Sequence, residues 1–180
     1  FCFGCVFWCE VCGVLFCLYC NCGHRNLHRV VRRQQQMCIR DNAWATPACT
    51  TTRGTIITGK YGINSGVSFV PAVLSSDTSD QDILQEYLKN NAVSANYNSA
   101  LFGKWHLGGG GNTVVPSHPN DVGLAHYAGN LDNIDDYNNW TLTINGVQET
   151  SNEYHTRKIT DLAIDWITTQ SNPWFAWVAY

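Results

Sequence analysis

Cysteine is nearly absent from most of this chain. Eight of the nine cysteines in its 180 residues lie at or before Cys38, and only Cys49 follows, so disulfides do not hold the remainder together. No methionine opens the sequence, and neither the basic start nor the small-residue cleavage site of a signal peptide is visible. The apolar opening run is barely long enough for a membrane helix and carries Glu10. The pairs Cys2/Cys5, Cys9/Cys12 and Cys17/Cys20 have metal-ligand spacing. Phe, Trp, Val and Leu surround them without turn chemistry to bring the pairs together, which argues against a zinc module. The basic run from His24 to Arg33 lacks the interleaved aromatics of a nucleic-acid surface. Neither nucleic acid nor membrane is therefore expected as a partner.

What is present divides near residue 41. Five of the eleven basic residues (Arg25, Arg29, Arg32, Arg33, Arg40) sit in the first part, leaving six against twelve acidic ones from Asn42 onward, a formal charge of −6. Met37-Cys38-Ile39-Arg40-Asp41-Asn42 resembles a translated sequencing adaptor. Residues 1–41 are expected to be non-native or disordered, and 42–180 to carry the folded, functional part.

From residue 42 the pattern alternates helix and strand with short loops, the signature of an α/β layered fold. A helix is expected from about Cys49 to Thr58, with Gly59 as its stop. A second should begin at the capping-box-like Ser79-Asp80-Gln81-Asp82 and bury Ile83, Leu84, Tyr87 and Leu88, closing at Asn90-Asn91. Ser99 to Phe102 reads as a strand, residues 112–139 as loop, and Trp140 to Ile144 as a strand leading into the hairpin signal Asn145-Gly146. A third helix should span about Glu153 to Thr169 with Ile159, Leu162, Ala163, Trp166 and Ile167 on one face. Trp174 to Tyr180 reads as a buried strand. Because the chain stops on that strand, it is expected to be a fragment of a larger domain.

Two short segments carry the chemistry. Cys49 and Arg53 are four residues apart, hence on one face of a helix, and a thiol at the helix start meets the positive end of the dipole. Lys104 and His106 are two apart, so an extended segment would aim both to one side and Trp105 to the other. Together a nucleophile, a guanidinium, an ammonium and an imidazole make a clamp for a tetrahedral oxyanion such as sulfate or phosphate. Bland alternatives remain at each position: a buried cysteine beside a surface arginine, or two basic groups on an exposed turn. His118 and His126 lie in the long loop, where either could face substrate, and solvent is the expected reading. Asp132, Asp135 and Asp136 lack the spacing and glycine of a calcium loop and are read as a solvated turn. The loop from Asn112 to Asn139 is expected to shape the pocket.

These segments resemble the sulfatase family of the alkaline phosphatase superfamily. Cys49-Thr50-Thr51-Thr52-Arg53, followed by Gly54 to Gly59, is similar to the C-x-P-S-R signature with its closing T-G. Phe102-Gly103-Lys104-Trp105-His106-Leu107-Gly108 is similar to the second signature. The stretches Gly123 to Gly129, Ile144 to Val147 and Tyr154 to Tyr180 agree as well. The resemblance covers 42–180 and implies an incomplete α/β three-layer sandwich of the alkaline phosphatase/sulfatase type. It also implies a sulfuric ester hydrolase whose cysteine becomes formylglycine under a maturation enzyme, with a divalent metal, calcium in most members. Carried over, Cys49 is the nucleophile precursor and a metal ligand, and Arg53 holds it. Lys104 binds the sulfate and His106 assists its release. The implied substrate is a small sulfate ester or a sulfated glycan, and the family's habit is periplasmic or secreted. Thr51 stands where the family has Pro or sometimes Ala. The family's other metal ligands lie before the cysteine motif and after the last strand seen here, and residues 1–41 contain nothing like the former, so the fragment alone is expected to be inactive. The alternatives are a phosphonate or phosphodiester hydrolase of the same superfamily, or a non-catalytic homologue that binds sulfate esters.

Overall fold

The computed structural model describes residues 5–9, 14–18, 45–75, 83–110 and 114–180. The remainder of 1–41, including the adaptor-like stretch, lies outside the described residues, as does the capping-box-like stretch at Ser79.

Seven strands form one sheet in the order β1-β2-β7-β3-β4-β5-β6. Its centre is parallel. Strand β3 (Asn98–Gly103) runs alongside β7 (Trp174–Ala179) over six register pairs and alongside β4 (His126–Gly129) over three. On one flank β4 continues antiparallel into the hairpin of β5 (Trp140–Ile144) and β6 (Val147–Ser151). The turn is Asn145-Gly146, with φ of 46° and 86°. Two consecutive left-handed residues are the requirement of the tight hairpin turn that Asn-Gly favours. On the other flank β1 (Cys5–Cys9) and β2 (Val14–Leu18) form an antiparallel pair, and β2 meets β7 at Val14 and Ala179.

Alternation along the central strands divides the core in two. Leu101, Tyr127, Trp177 and Ala179 face one side, where they pack with Ile57, Trp105 and Leu107. Ala100, Phe102 and Ala128 face the other, against Ile159 and Ala163. The first side is covered by α1 (Cys49–Thr58) and the short helices α2 (Gly62–Ser65), α3 (Leu84–Asn90) and α4 (His118–Asp121). The second is covered by α5 (His155–Thr168). Helices on both faces of a mixed sheet give the three-layer arrangement. Among the described residues no helix is long and apolar enough to cross a membrane.

Helix α1 has the expected bounds and ends at Gly59, whose N–H reaches the Thr55 carbonyl at 2.9 Å. Its run of β-branched threonines is a poor helix former. Tertiary burial compensates, with Thr50, Thr51, Thr52, Arg53, Gly54 and Ile57 all inside. Three expectations need correction. Helix α3 starts only at Leu84, so Ile83 enters the core from an extended residue ahead of the helix, beside buried Gln85. Leu84 and Tyr87 stay exposed, lining a shallow cleft with Ile56 and Ile57 of α1. The stretch 112–139 contains α4 and β4 as well as loop. Finally, β7 is only half-buried at several positions, and Trp174 at its start is exposed.

Gly103 ends β3 with φ 93°, and a Cβ placed on it would collide with the Ala179 carbonyl of β7. Only glycine satisfies both the left-handed backbone and this approach. Gly103→Ala is therefore expected to cost about 3 kcal/mol, read as a lowered midpoint in a urea melt. An unchanged midpoint would contradict the close packing of β3 on β7.

Candidate active site

The site forms where the first turn of α1 meets the chain leaving β3. Cys49 is the first residue of α1, half-exposed, with Ala48 extended before it. Four residues on, Arg53 is buried at 1% exposure, and its guanidinium donates to the Lys104 carbonyl at 2.6 Å. The Trp177 ring of β7 lies 5.8 Å from the guanidinium carbon. This cross-link sets the start of α1 against the end of β3.

Beyond Gly103 the chain leaves the sheet and is gripped from both sides. The Trp105 and His106 amides donate to the carbonyls of Asn130 and Leu131, each at 2.9 Å. Leu74 N–H donates to the Leu107 carbonyl at 2.7 Å. Trp105 turns into the core, and its indole N–H donates to His118 Nδ1 at 3.0 Å. His106 takes a left-handed backbone, φ 55°, and brings its buried ring to Cys49. The sulfatase-like pair thus converges through an irregular segment and not through simple strand alternation.

His106 Nδ1 lies 3.1 Å from Cys49 Sγ and 3.4 Å from Thr50 Oγ1, while Nε2 lies 3.1 Å from Asp132 Oδ1. A carboxylate only accepts, so the neutral ring carries its proton on Nε2 and offers Nδ1 to the thiol or hydroxyl. Lys104 Nζ donates to Asn133 Oδ1 at 2.6 Å. Burial lowers the pKa of both groups. For Lys104, Cys49 and Asp132 oppose that shift and Arg53 adds to it. For His106, Lys104 and Arg53 add to it and Asp132 opposes it. The arrangement can hold an anion beside a nucleophile and accept a proton from it.

Of the residues singled out from sequence, Cys49, Arg53, Lys104 and His106 are brought together. His118 and His126 go elsewhere. His118 braces Trp105 and reaches the Leu74 carbonyl at 3.1 Å, and His126 stacks on Trp166 of α5. Asp132 is the correction: expected in a solvated turn with Asp135 and Asp136, it instead engages His106, while the other two remain exposed. Asn133, the partner of Lys104, had no sequence signal beyond its place in the loop expected to shape the pocket. Among the described residues no group of three or more His, Cys, Asp or Glu side chains gathers as a metal centre would require. Cys49 by itself does not make up a calcium site.

The sulfatase family model matches residues 21–180. The chain belongs to the sulfatase family. That match starts upstream of Asn42, where the motif resemblance begins. Arylsulfatase G of Canis lupus familiaris is 33% identical over 91 residues, covering 47% of this chain and 15% of that protein. The ulvan-active sulfatase of Formosa agariphila is 38% identical over 64 residues, 36% of this chain and 11% of its own. The chain thus spans a small part of the curated relatives it matches. Among solved structures, a protein in complex with its substrate D-glucosamine-2-N,6-O-disulfate superposes with a TM-score of 0.56 at 22% identity, over 76% of this chain and 25% of that one. A sulfatase from Pseudoalteromonas sp. gives 0.53 at 17% identity, over 74% and 34%. These likenesses support the incomplete sulfatase-type sandwich as the fold.

The four buried or half-buried histidines give the sulfatase chain a pH signature. Burial lowers His106, His118, His126 and His155 below the ordinary value of 6.5. The unfolded chain therefore binds more protons than the folded one as the pH falls through that value, and folding stability rises with pH there. Their contribution is fully present above about pH 7 and is lost on acidification toward the folded values. Urea melts at about pH 7.5 and about pH 5.5 should show the lower midpoint at acid pH. His118→Gln should flatten the difference.

Proposed function

We propose that the full-length protein hydrolyses sulfate esters, of a small molecule or a sulfated glycan, through a formylglycine made from Cys49 by a maturation enzyme. The observation that carries this reading is the approach of His106 Nδ1 to Cys49 Sγ at the first turn of α1, with Arg53 of the same helix tied to Lys104. A glycan substrate draws support from the neighbour solved with its disulfated glucosamine substrate. The curated relatives are sulfatases by name.

In this reading a hydroxyl on the Cβ of residue 49 attacks the sulfur of the ester, the S–O bond to the alcohol breaks, the leaving oxygen takes up the proton that the hydroxyl gives up, and the sulfate is left on the attacking oxygen. Lys104 offsets the charge on the sulfuryl oxygens. His106 Nδ1 takes the proton of the second hydroxyl at the same carbon, a C=O bond forms, and sulfate departs. Asp132 keeps the proton of the neutral ring on Nε2, so that Nδ1 is the atom free to accept. Arg53 holds the end of β3, and with it Lys104, against the helix.

Thr51 is compatible with this site. It is the third residue of α1, where the backbone N–H makes no intrahelical bond, so neither threonine nor proline there costs a helix hydrogen bond. The Thr51 hydroxyl donates to the Ala48 carbonyl at 3.0 Å within the same turn. The replacement changes what a maturation enzyme would read, not the helix.

Peptide mass spectrometry across Cys49, on the full-length protein co-expressed with its maturation system, should find a loss of about 18 Da, the thiol-to-aldehyde change that creates the nucleophile. An unmodified thiol under those conditions would sink the formylglycine mechanism. In the converted protein, His106→Gln should lower aryl sulfate turnover about 100-fold. Turnover at the wild-type rate would remove His106 from the reaction.

A further inference from the structure

His155, the first residue of α5, is buried at 2% exposure behind the site and has no part in the chemistry described above. Its ring stands edge-on to Trp140 at 4.6 Å, and its backbone N–H donates to the Tyr137 carbonyl at 2.8 Å. Nε2 lies 2.9 Å from Oδ1 of Asn130, itself buried. Every polar group of the Asn130 side chain is committed. Nδ2 donates to the Asp132 carbonyl at 2.7 Å, which can only accept, so Oδ1 must be the end that faces His155. His155 must then donate from Nε2.

The connection runs onward without a gap. Asn130 and Leu131 hold the backbone of Trp105 and His106, Asn130 folds the turn that carries Asp132, and Asp132 meets His106 Nε2. Asn133, the next residue, receives Lys104. One buried amide thus sets both groups that orient His106 and Lys104 beside Cys49, and one imidazole fixes that amide.

We propose that His155 is a positioning residue of the Cys49 site, acting through Asn130 on the Asp132–Asn133 turn and so on the tautomer and placement of His106. Its consequence for turnover rests on the sulfatase reading; its consequence for the His106 ring does not. A neutral His155 with its proton on Nε2 meets the geometry, and its Nδ1 is buried without a hydrogen-bond partner. Burial holds the ring neutral, which keeps the donor in its single useful arrangement.

The test uses the full-length protein with histidine carrying the heavy nitrogen isotope, so that NMR reads the tautomer of His106 directly. Wild type should show the His106 proton on Nε2. His155→Phe keeps an aromatic edge against Trp140 but removes the donor, and should drive His106 toward a mixture of tautomers. His155→Gln, which retains an N–H donor, should restore the wild-type signal. Asn130→Ser cuts the same connection from its other end while leaving His155 in its aromatic packing, so it must reproduce the His155→Phe spectrum even if that variant folds poorly. A lowered melting temperature with His106 signals unchanged in both variants would overturn the proposal and leave His155 as core packing. In the converted enzyme kcat should fall on the order of tenfold for His155→Phe and recover with Gln. Absence of sulfate ester turnover in wild type would count against the sulfatase reading alone, because the NMR result stands apart from it.

Discussion

A buried guanidinium joins the two halves of the site. Arg53 lies inside the protein, where an unsatisfied charge would be strongly unfavourable. It is tolerated because it donates to the Lys104 carbonyl and lies near the Trp177 ring. Lysine would be a poor substitute, since a point charge matches neither the fork of donors nor the aromatic face. The same hydrogen bond fixes how far the start of α1 stands from the end of β3. The reach from His106 and Lys104 to Cys49 depends on that separation.

Around this cross-link the polar groups form one connected set in which buried and exposed members alternate. Cys49 is half-exposed, while His106 and Lys104 are held by Asp132 and Asn133. Those two belong to a turn folded by the buried Asn130. On either side of that turn, His106 and Asn130 sit in buried surroundings. Hydrogen bonds in such surroundings gain strength from the low local dielectric and lose it quickly when one member is removed. The sheet contributes by ending β3 in a glycine packed against β7, which lets the chain leave the strand at the point where the helix arrives.

Much of this was legible before the fold was known. Helix α1, its stop at Gly59, strand β3, the β5–β6 hairpin and α5 all carry local signals, whether periodicity or turn chemistry, that hold without tertiary context. Cys49, Arg53, Lys104 and His106 were singled out by spacing together with the two sulfatase-like signatures, although Lys104 and His106 leave the strand through an irregular segment that alternation does not describe. Strand β4 was hidden in a polar loop because four residues pairing with β3 carry too short a pattern to read. The apolar stripe of α3 misled because Ile83 lies outside the helix and its burial has a separate cause. Asp132, Asn133 and His155 are assigned by contacts across the chain, and no spacing rule connects residue 155 to residue 130.

The left-handed backbone of His106 sets stability against contact at that position. A side chain with a Cβ is less comfortable there than glycine, by about 1–2 kcal/mol in the general case, although histidine visits the region more readily than most residues. Glycine or asparagine would relieve the backbone and remove the ring that meets Cys49, so a gain in stability there carries the loss of that contact.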